Sequence, residues 1–221
     1  RWKEMKVGRI FSDKDCIAIQ KNRKEIMNNF YVCHLGEHHK FFSKLEYYAD
    51  SYKKKVCIAD GAKWIWKWAS EMYPEMLQIL DYYHAVEKIG YFASQQFTDE
   101  QQRKEWLSEQ KEKLLNNGVS EIIMLLKHSI SKNKEAEKTK NDAIRYYESN
   151  KDRMQYKTYI EDGYLIGSGA IEAAHRDVVQ QRLKLSGQRW SMKGAQQISN
   201  LRAFNKSNRW GEVVNIIKEA A

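Results

Sequence analysis

The sequence predicts an α/β protein: a mixed sheet interrupted by a long all-helical insertion. Three observations predict it. Short β-prone runs separated by polar turns fill the start of the chain, a strand–helix–strand succession follows, and residues 85–160 show amphipathic helical periodicity with no strand pattern and no proline. The expected division is 1–84 for the first part of the sheet, 85–160 for the helical insertion, and 161–221 for the second part with a basic helical C-terminus.

In the first run Met5, Val7 and Phe11 fall on one face at period two, with Lys6 and Gly8 opposite. Cys16–Ile19 and Phe30–Cys33 make the second and third. The Ser12-Asp13-Lys14-Asp15 and Asn22-Arg23-Lys24-Glu25 stretches between them are polar turn chemistry, so the strands are expected to be antiparallel. A short helix around His38–Ala49 follows. Val56–Ala59 is a compact apolar run between three lysines and Asp60-Gly61, the form of a buried central strand that ends in a turn.

Trp64, Ile65, Trp68 and Met72 mark one face of the next helix, which the only proline, Pro74, ends. Trp64 and Trp68 are therefore expected in the core and Trp66 at a partner contact. Met76–Leu80 reads as a second buried strand, and it too ends in an aspartate, Asp81, followed by a new helix. In open α/β sheets the chemistry gathers beyond the carboxyl ends of the strands, where Asp60 and Asp81 both sit.

The insertion carries Ile122, Ile123, Leu125 and Leu126 on amphipathic runs, with Asn116-Asn117-Gly118 as a helix break. The glycine-dense segment Gly163–Gly169 closes it. A helix is expected to start near Ala170 with Ser168 as its N-cap, and helices over about Met192–Phe204 and Arg209–Lys218 finish the chain.

Composition excludes several classes. The 221 residues can bury a sizeable core, and 42% apolar residues with thirteen Tyr and seven Trp argue against disorder. The longest apolar run, Ile122–Leu126, is far short of the roughly 18 residues a membrane span needs, and no signal-peptide pattern is seen. A soluble cytosolic protein is expected. Cys16, Cys33 and Cys57 are odd in number and lack CxxC spacing, which fits reduced, structural thiols. The net charge of +9 is uneven: residues 161–175 hold three acidic residues and no Lys or Arg, and residues 176–221 hold nine basic against three acidic. The basic stretch carries Arg176, Arg182, Lys184, Arg189, Lys193, Arg202, Lys206 and Arg209, interleaved with Trp190 and Trp210. That arrangement suits a phosphate backbone approaching a carboxylate site.

Glu172 lies in the first turn of the helix after the Gly-Ser-Gly loop, with His175, Arg176 and Val179 on the same face. Carboxylates contributed by separate elements are the usual way to hold Mg²⁺, and two such ions about 4 Å apart drive phosphodiester cleavage. Arg189-Trp190 offers a cation and a stacking face for unpaired bases, although core packing is the default for a Trp. His34, His38 and His39 lack a partner Cys at ligand spacing other than Cys33, and Glu37-His38-His39 reads as a solvated helix start.

The segments Ala59-Asp60-Gly61-Ala62-Lys63-Trp64-Ile65, Leu80-Asp81-Tyr82-Tyr83-His84, Gly167-Ser168-Gly169-Ala170-Ile171-Glu172 and Gln181-Arg182-Leu183-Lys184-Leu185-Ser186-Gly187-Gln188-Arg189-Trp190 occur in this order. In order and spacing they resemble the Mutator-like bacterial insertion-sequence transposases, and with the Trp2–Gly8 strand the resemblance covers nearly the whole chain. It implies a ribonuclease-H-like fold with a DDE triad and an all-helical insertion between the second Asp and the Glu. By position Asp60 is similar to the second Asp and Glu172 to the Glu, both as catalytic metal ligands. Asp81 and His84 are similar to the family's C/D-x-x-H signature, in a supporting role.

The resemblance further implies Mg²⁺, with Mn²⁺ as substitute, and two ions when the first Asp is present. The first Asp belongs to an Asp-Gly segment on a strand before Arg1, since Asp13 and Asp15 lie too late. The expectation is therefore of a piece lacking its first core strand, one metal ligand and the family's N-terminal DNA-end-binding domain. Arg176, Arg182, Lys184, Arg189, Trp190 and Lys193 are the expected nucleic-acid contacts. The expected partners are double-stranded DNA, as transposon ends and target, and further copies of the chain, with no membrane, in the bacterial cytoplasm at the nucleoid. Two other readings stay open: a catalytically inactive remnant that binds DNA or a partner transposase, and a ribonuclease-H-like nuclease for branched or hybrid substrates.

Overall fold

The computed structural model describes residues 4–20, 23–167 and 169–220. The fold is mixed α/β, predominantly helical, and among the described residues the strands form three two-stranded sheets. Two compact units divide the chain: Arg1–Lys53 with Gly169–Ala221, and Lys54–Ser168. These boundaries differ from the 1–84, 85–160 and 161–221 division because the strand–helix–strand segment packs into one core with the helices that follow it.

In the unit formed by the two chain ends, β1 (Met5–Ile10) pairs antiparallel with β4 (Phe30–Leu35), Val7 opposite Cys33. β2 (Cys16–Gln20) pairs antiparallel with β3 (Arg23–Ile26). β3 corrects the reading of Asn22-Arg23-Lys24-Glu25 as turn alone: its backbone completes the ladder of β2, so cross-strand pairing overrides a polar sequence of weak β-propensity. Ser12 does cap a turn of 3₁₀ helix at Asp13–Asp15, as the polar stretch suggests.

The β1 faces are not apolar-in and polar-out. Lys6 and Gly8 are buried, and Lys6 donates to the Gly36 carbonyl at 2.7 Å. A methyl built on Gly8 would lie 2.6 Å from Leu45 Cδ2 of helix α1 (His38–Ala49), so a larger residue here would push the Leu45 side chain aside. Met5 and Val7 pack on the opposite side against Cys33, Val178, Val179 and Ala203, so β1 is covered on both faces. The C-terminal segment adds α8 (Gly169–Ala174), a π-helical stretch (His175–Gln180), a short α9 (Gln181–Leu183), α10 (Met192–Lys206) and α11 (Trp210–Glu219). The expected cap Ser168 lies outside the described residues.

In the other unit β5 (Val56–Ala59) and β6 (Leu77–Leu80) are parallel, with Val56 opposite Leu77 and Ala59 opposite Leu80. Helix α2 (Lys63–Met72) makes the crossover. β6 is buried at Ile79 and Leu80, whereas β5 is only half-buried and begins at an exposed Val56, so it is not the enclosed central strand expected.

The core assignment on α2 is also corrected. Trp66 and Ala69 are buried, Trp64 and Trp68 are half-buried, and Met72 is exposed. The inward face carries Trp66 and Ala69 with Ile65 beside them, and the Arg153 guanidinium lies 4.9 Å from the Trp66 ring centroid.

The insertion is helical throughout: α3 (Tyr82–Gln96), α4 (Glu100–Leu115), α5 (Val119–His128), α6 (Lys134–Asn150) and α7 (Tyr156–Glu161). Asn116-Asn117-Gly118 breaks it as expected, with Asn117 at a positive φ of 63°. Asp99 caps α4 and Asn133 caps α6 through side-chain oxygens. Ile89, Phe92, Leu114, Ile122, Leu126 and Tyr147 form the centre of the core, and the Tyr147 hydroxyl donates to the Ala85 carbonyl at 2.7 Å. Leu126→Ala is expected to destabilise this unit by about 2–5 kcal/mol, and Ile130→Ala, at an 89% exposed position, by less than about 0.5 kcal/mol. Urea unfolding followed by Trp fluorescence and circular dichroism measures both.

Candidate active site

The parallel pairing of β5 and β6 brings two aspartates to the same end of one ladder. The Asp81 backbone N–H donates to the Ala59 carbonyl at 2.8 Å, which carries the ladder one residue beyond the strands, and Asp60 follows Ala59 directly. The two carboxylates then meet different environments. Asp81 is wholly buried and caps α3, accepting from the His84 backbone N–H at 3.0 Å. Asp60 is exposed and folds into a tight turn, in which the Ala62 N–H reaches both the Asp60 carbonyl (2.8 Å) and Asp60 Oδ1 (3.0 Å).

His84 stands over its cap, with Nδ1 3.5 Å from Asp81 Oδ1. The Asp81 carboxylate beside it raises the imidazole pKa above 6.5; burial opposes this, and the charges of Glu87 and Asp60 add to it. The Asp81–His84 pair predicted from sequence is thus brought into contact, with Asp81 structural and His84 electrostatically tied to the Asp60 end of the sheet. The glycine-dense segment reaches the same place: the Tyr82 N–H donates to the Ile166 carbonyl at 2.9 Å. A methyl on Gly167 would lie 2.5 Å from Tyr83 Cε2, so the exposed Tyr83 ring lies directly on this glycine.

Glu172 belongs to the other compact unit, exposed on α8, which lies against β1. Its expected alignment with His175, Arg176 and Val179 is corrected by the π-helical stretch, whose wider turn displaces each later side chain around the axis. His175 Nδ1 pairs with Gln180 Nε2 five residues on, at 3.1 Å. Burial, with Lys184 nearby, lowers the His175 pKa.

Arg202 of α10 locks this stretch. Its guanidinium donates to the Val178 carbonyl at 3.0 Å, to the Asp177 carbonyl, and to Gln181 Oε1 at 2.9 Å. Arg209 is likewise used internally, packed among the Phe30, Tyr48 and Phe204 rings and bonded to Tyr48 and Glu212. Two members of the basic tail are therefore structural, which removes them from any polyanion surface.

The cations expected to meet DNA are different. Arg176, Arg182, Lys184, Arg189 and Lys193 are all exposed. Trp190 is half-buried, and the cation over its ring is Arg182, at 5.6 Å, rather than the adjacent Arg189. Its Nε1 is buried without a hydrogen-bond partner.

Asp60 offers hard carboxylate oxygen with only one oxygen engaged in its turn, a donor chemistry that fits Mg²⁺. Among the described residues no group of three or more His, Cys, Asp and Glu side chains is gathered as for a metal ion. His39 pairs with Glu37 at an exposed helix start, and burial lowers the His34 pKa. The three cysteines are free, and burial pushes the Cys33 thiol up to about 11 and the Cys57 thiol up to about 12, which keeps both unreactive. No helix among the described residues is long and apolar enough to cross a membrane.

Sequence reasoning missed Tyr83, Glu87, Lys88 and Tyr146, which the fold brings to the end of the β5–β6 ladder. Only the spacing of Glu87 and Lys88 from His84 along α3 carried any signal of it.

Comparison with known protein families, curated proteins and solved structures found no match to this chain.

Because folding raises the His84 pKa, its contribution to stability is fully present below about pH 6.5 and is lost as pH rises through the folded value. Histidine NMR titration is expected to find His84 above 6.5 in the wild type and lower in Asp81→Asn. An unchanged midpoint in the variant would remove Asp81 as the cause.

Proposed function

We propose that this chain is the catalytic region of a DDE-type DNA transposase with a ribonuclease-H-like core. In this reading it cuts phosphodiesters at transposon ends and joins the freed 3′-hydroxyl to target DNA. The observation that carries the reading is the parallel β5–β6 pair, with Asp60 and Asp81 at its carboxyl ends and an all-helical segment following at once. The four motifs in order support it, as do five exposed cations on the segment that follows Glu172.

The residues divide by role. Asp60 and Glu172 would hold Mg²⁺, or Mn²⁺ in its place. Mg²⁺, when bound, supplies Lewis-acid chemistry: activation of the attacking hydroxyl and neutralisation of the leaving oxygen. Asp81 fixes the end of β6 and the start of α3, and His84, held protonated to a higher pH than a free imidazole, offsets the negative charge of that end. Arg176, Arg182, Lys184, Arg189 and Lys193 would neutralise phosphates, and Trp190 with Arg182 over it would present a stacking face. Self-association on paired DNA ends and a place at the bacterial nucleoid belong to the same reading.

Glu172→Gln and Asp60→Asn in the full-length protein are each expected to reduce Mg²⁺-dependent cleavage of transposon-end DNA by about 100-fold or more. Intact cleavage in either variant would contradict the assignment. DNA binding without cleavage in the wild type, in Mg²⁺ or Mn²⁺, would favour a non-catalytic binding protein.

The cation assignment has its own test. Arg182→Ala and Arg189→Ala should each lower the slope of log affinity against log salt by about one, uniformly across DNA sequences, whereas Lys138→Ala in the insertion should leave it unchanged. Fluorescence anisotropy over a salt series measures the slopes.

A further inference from the structure

The Asp60 turn rests on a residue from the far side of the insertion. Tyr146 of α6 lies with its ring edge on the Gly61 backbone. A methyl group built on Gly61 would stand 2.3 Å from Tyr146 Cε2, 2.8 Å from Cζ and 3.0 Å from the hydroxyl oxygen, so a side chain at position 61 would force the ring or the turn to shift.

The ring is fixed from behind as well. It packs against the core that holds Leu80 and Tyr147, and the Lys88 ammonium of α3 lies 5.0 Å from its centroid. The hydroxyl is buried and makes no hydrogen bond of good geometry. Burial pushes the phenol pKa well up, the Gly61 backbone N–H offsets part of this, and the charges of Asp60, Asp81 and Glu87 add to the rise. Tyr146 thus stays a neutral phenol beside three carboxylates and takes no part as a base at neutral pH.

We propose that Tyr146 is a positioning residue that holds the Asp60–Gly61–Ala62 turn through ring contact with Gly61, so that the helical insertion sets where the Asp60 carboxylate stands. The role of that carboxylate in catalysis rests on the transposase reading, but the clamp itself does not. Removing the ring leaves the turn held by the two contacts of the Ala62 N–H and by the Ile65 N–H, which donates to the Ala62 carbonyl at 3.0 Å. Adding a methyl to Gly61 drives the turn and the ring apart.

Amide hydrogen exchange on the whole chain reads the clamp without any appeal to activity. Tyr146→Ala is expected to speed exchange at Ala62 by at least about tenfold while leaving the ladder amides of Ile58 and Ile79 unchanged. Tyr146→Phe, which keeps the ring, should exchange as the wild type does. Gly61→Ala should also speed Ala62 exchange, and the double variant Gly61→Ala with Tyr146→Ala should be no worse than either single one, because the clash is relieved.

Wild-type exchange at Ala62 in Tyr146→Ala overturns the proposal. So does faster exchange that is uniform over β5 and β6, since that is loss of packing rather than of the clamp. A parallel cleavage assay separates the two ideas. Asp60→Asn that cleaves like the wild type, alongside a loosened Ala62 in Tyr146→Ala, defeats the transposase reading and leaves the clamp standing. Inactive Asp60→Asn alongside an undisturbed Ala62 in Tyr146→Ala does the reverse.

Discussion

One buried carboxylate organises the centre of the Lys54–Ser168 unit. Asp81 is fully enclosed, and an enclosed charge is tolerated only where its oxygens are satisfied. Here its backbone extends the β5–β6 ladder, its side chain caps α3, and His84 sits one turn on to share its charge. Strand end, helix start and imidazole are thereby fixed by a single residue. Losing its side-chain oxygen would leave a helix terminus unpaired inside the core, so the start of α3 depends on it.

Asp60 shows the opposite solution one strand away. It is exposed, bonded within its own turn, and open on one oxygen. A carboxylate kept in water retains its charge cheaply and can exchange protein contacts for a ligand, whereas Asp81 cannot. The pair illustrates how one topology, two parallel strands ending side by side, yields a structural acid and a candidate functional acid from the same residue type. Environment, rather than sequence position, assigns the roles.

Much of this was legible in the sequence. The apolar runs before Asp60 and Asp81, the proline after Met72 and the helical periodicity of residues 85–160 announced the parallel pair and the insertion, because burial and helix capping act locally. What escaped was set by tertiary contact. β3 exists because β2 needs a partner, not because Arg23-Lys24-Glu25-Ile26 favours a strand. Trp66 rather than Trp64 or Trp68 is buried because it joins the core built with the later helices, where Arg153 also meets its ring. Gly8 read only as the face opposite Met5 and Val7, and Gly61 only as a turn residue; the side chains that crowd them, Leu45 and Tyr146, are distant in sequence. Arg202 and Arg209 counted as surface charge until the carbonyls of a π-helical stretch and a cluster of rings claimed them.

In the proposed transposase reading, the carboxyl end of β5 binds the ion that does the chemistry. Titration of the full-length protein with Mn²⁺, followed by the electron paramagnetic resonance signal of the free ion, tests this most directly. Asp60→Asn is expected to weaken Mn²⁺ binding by about tenfold or more, while Asp13→Asn, in the 3₁₀ turn after β1, should bind as the wild type does. Equal affinity in wild type and Asp60→Asn would contradict it.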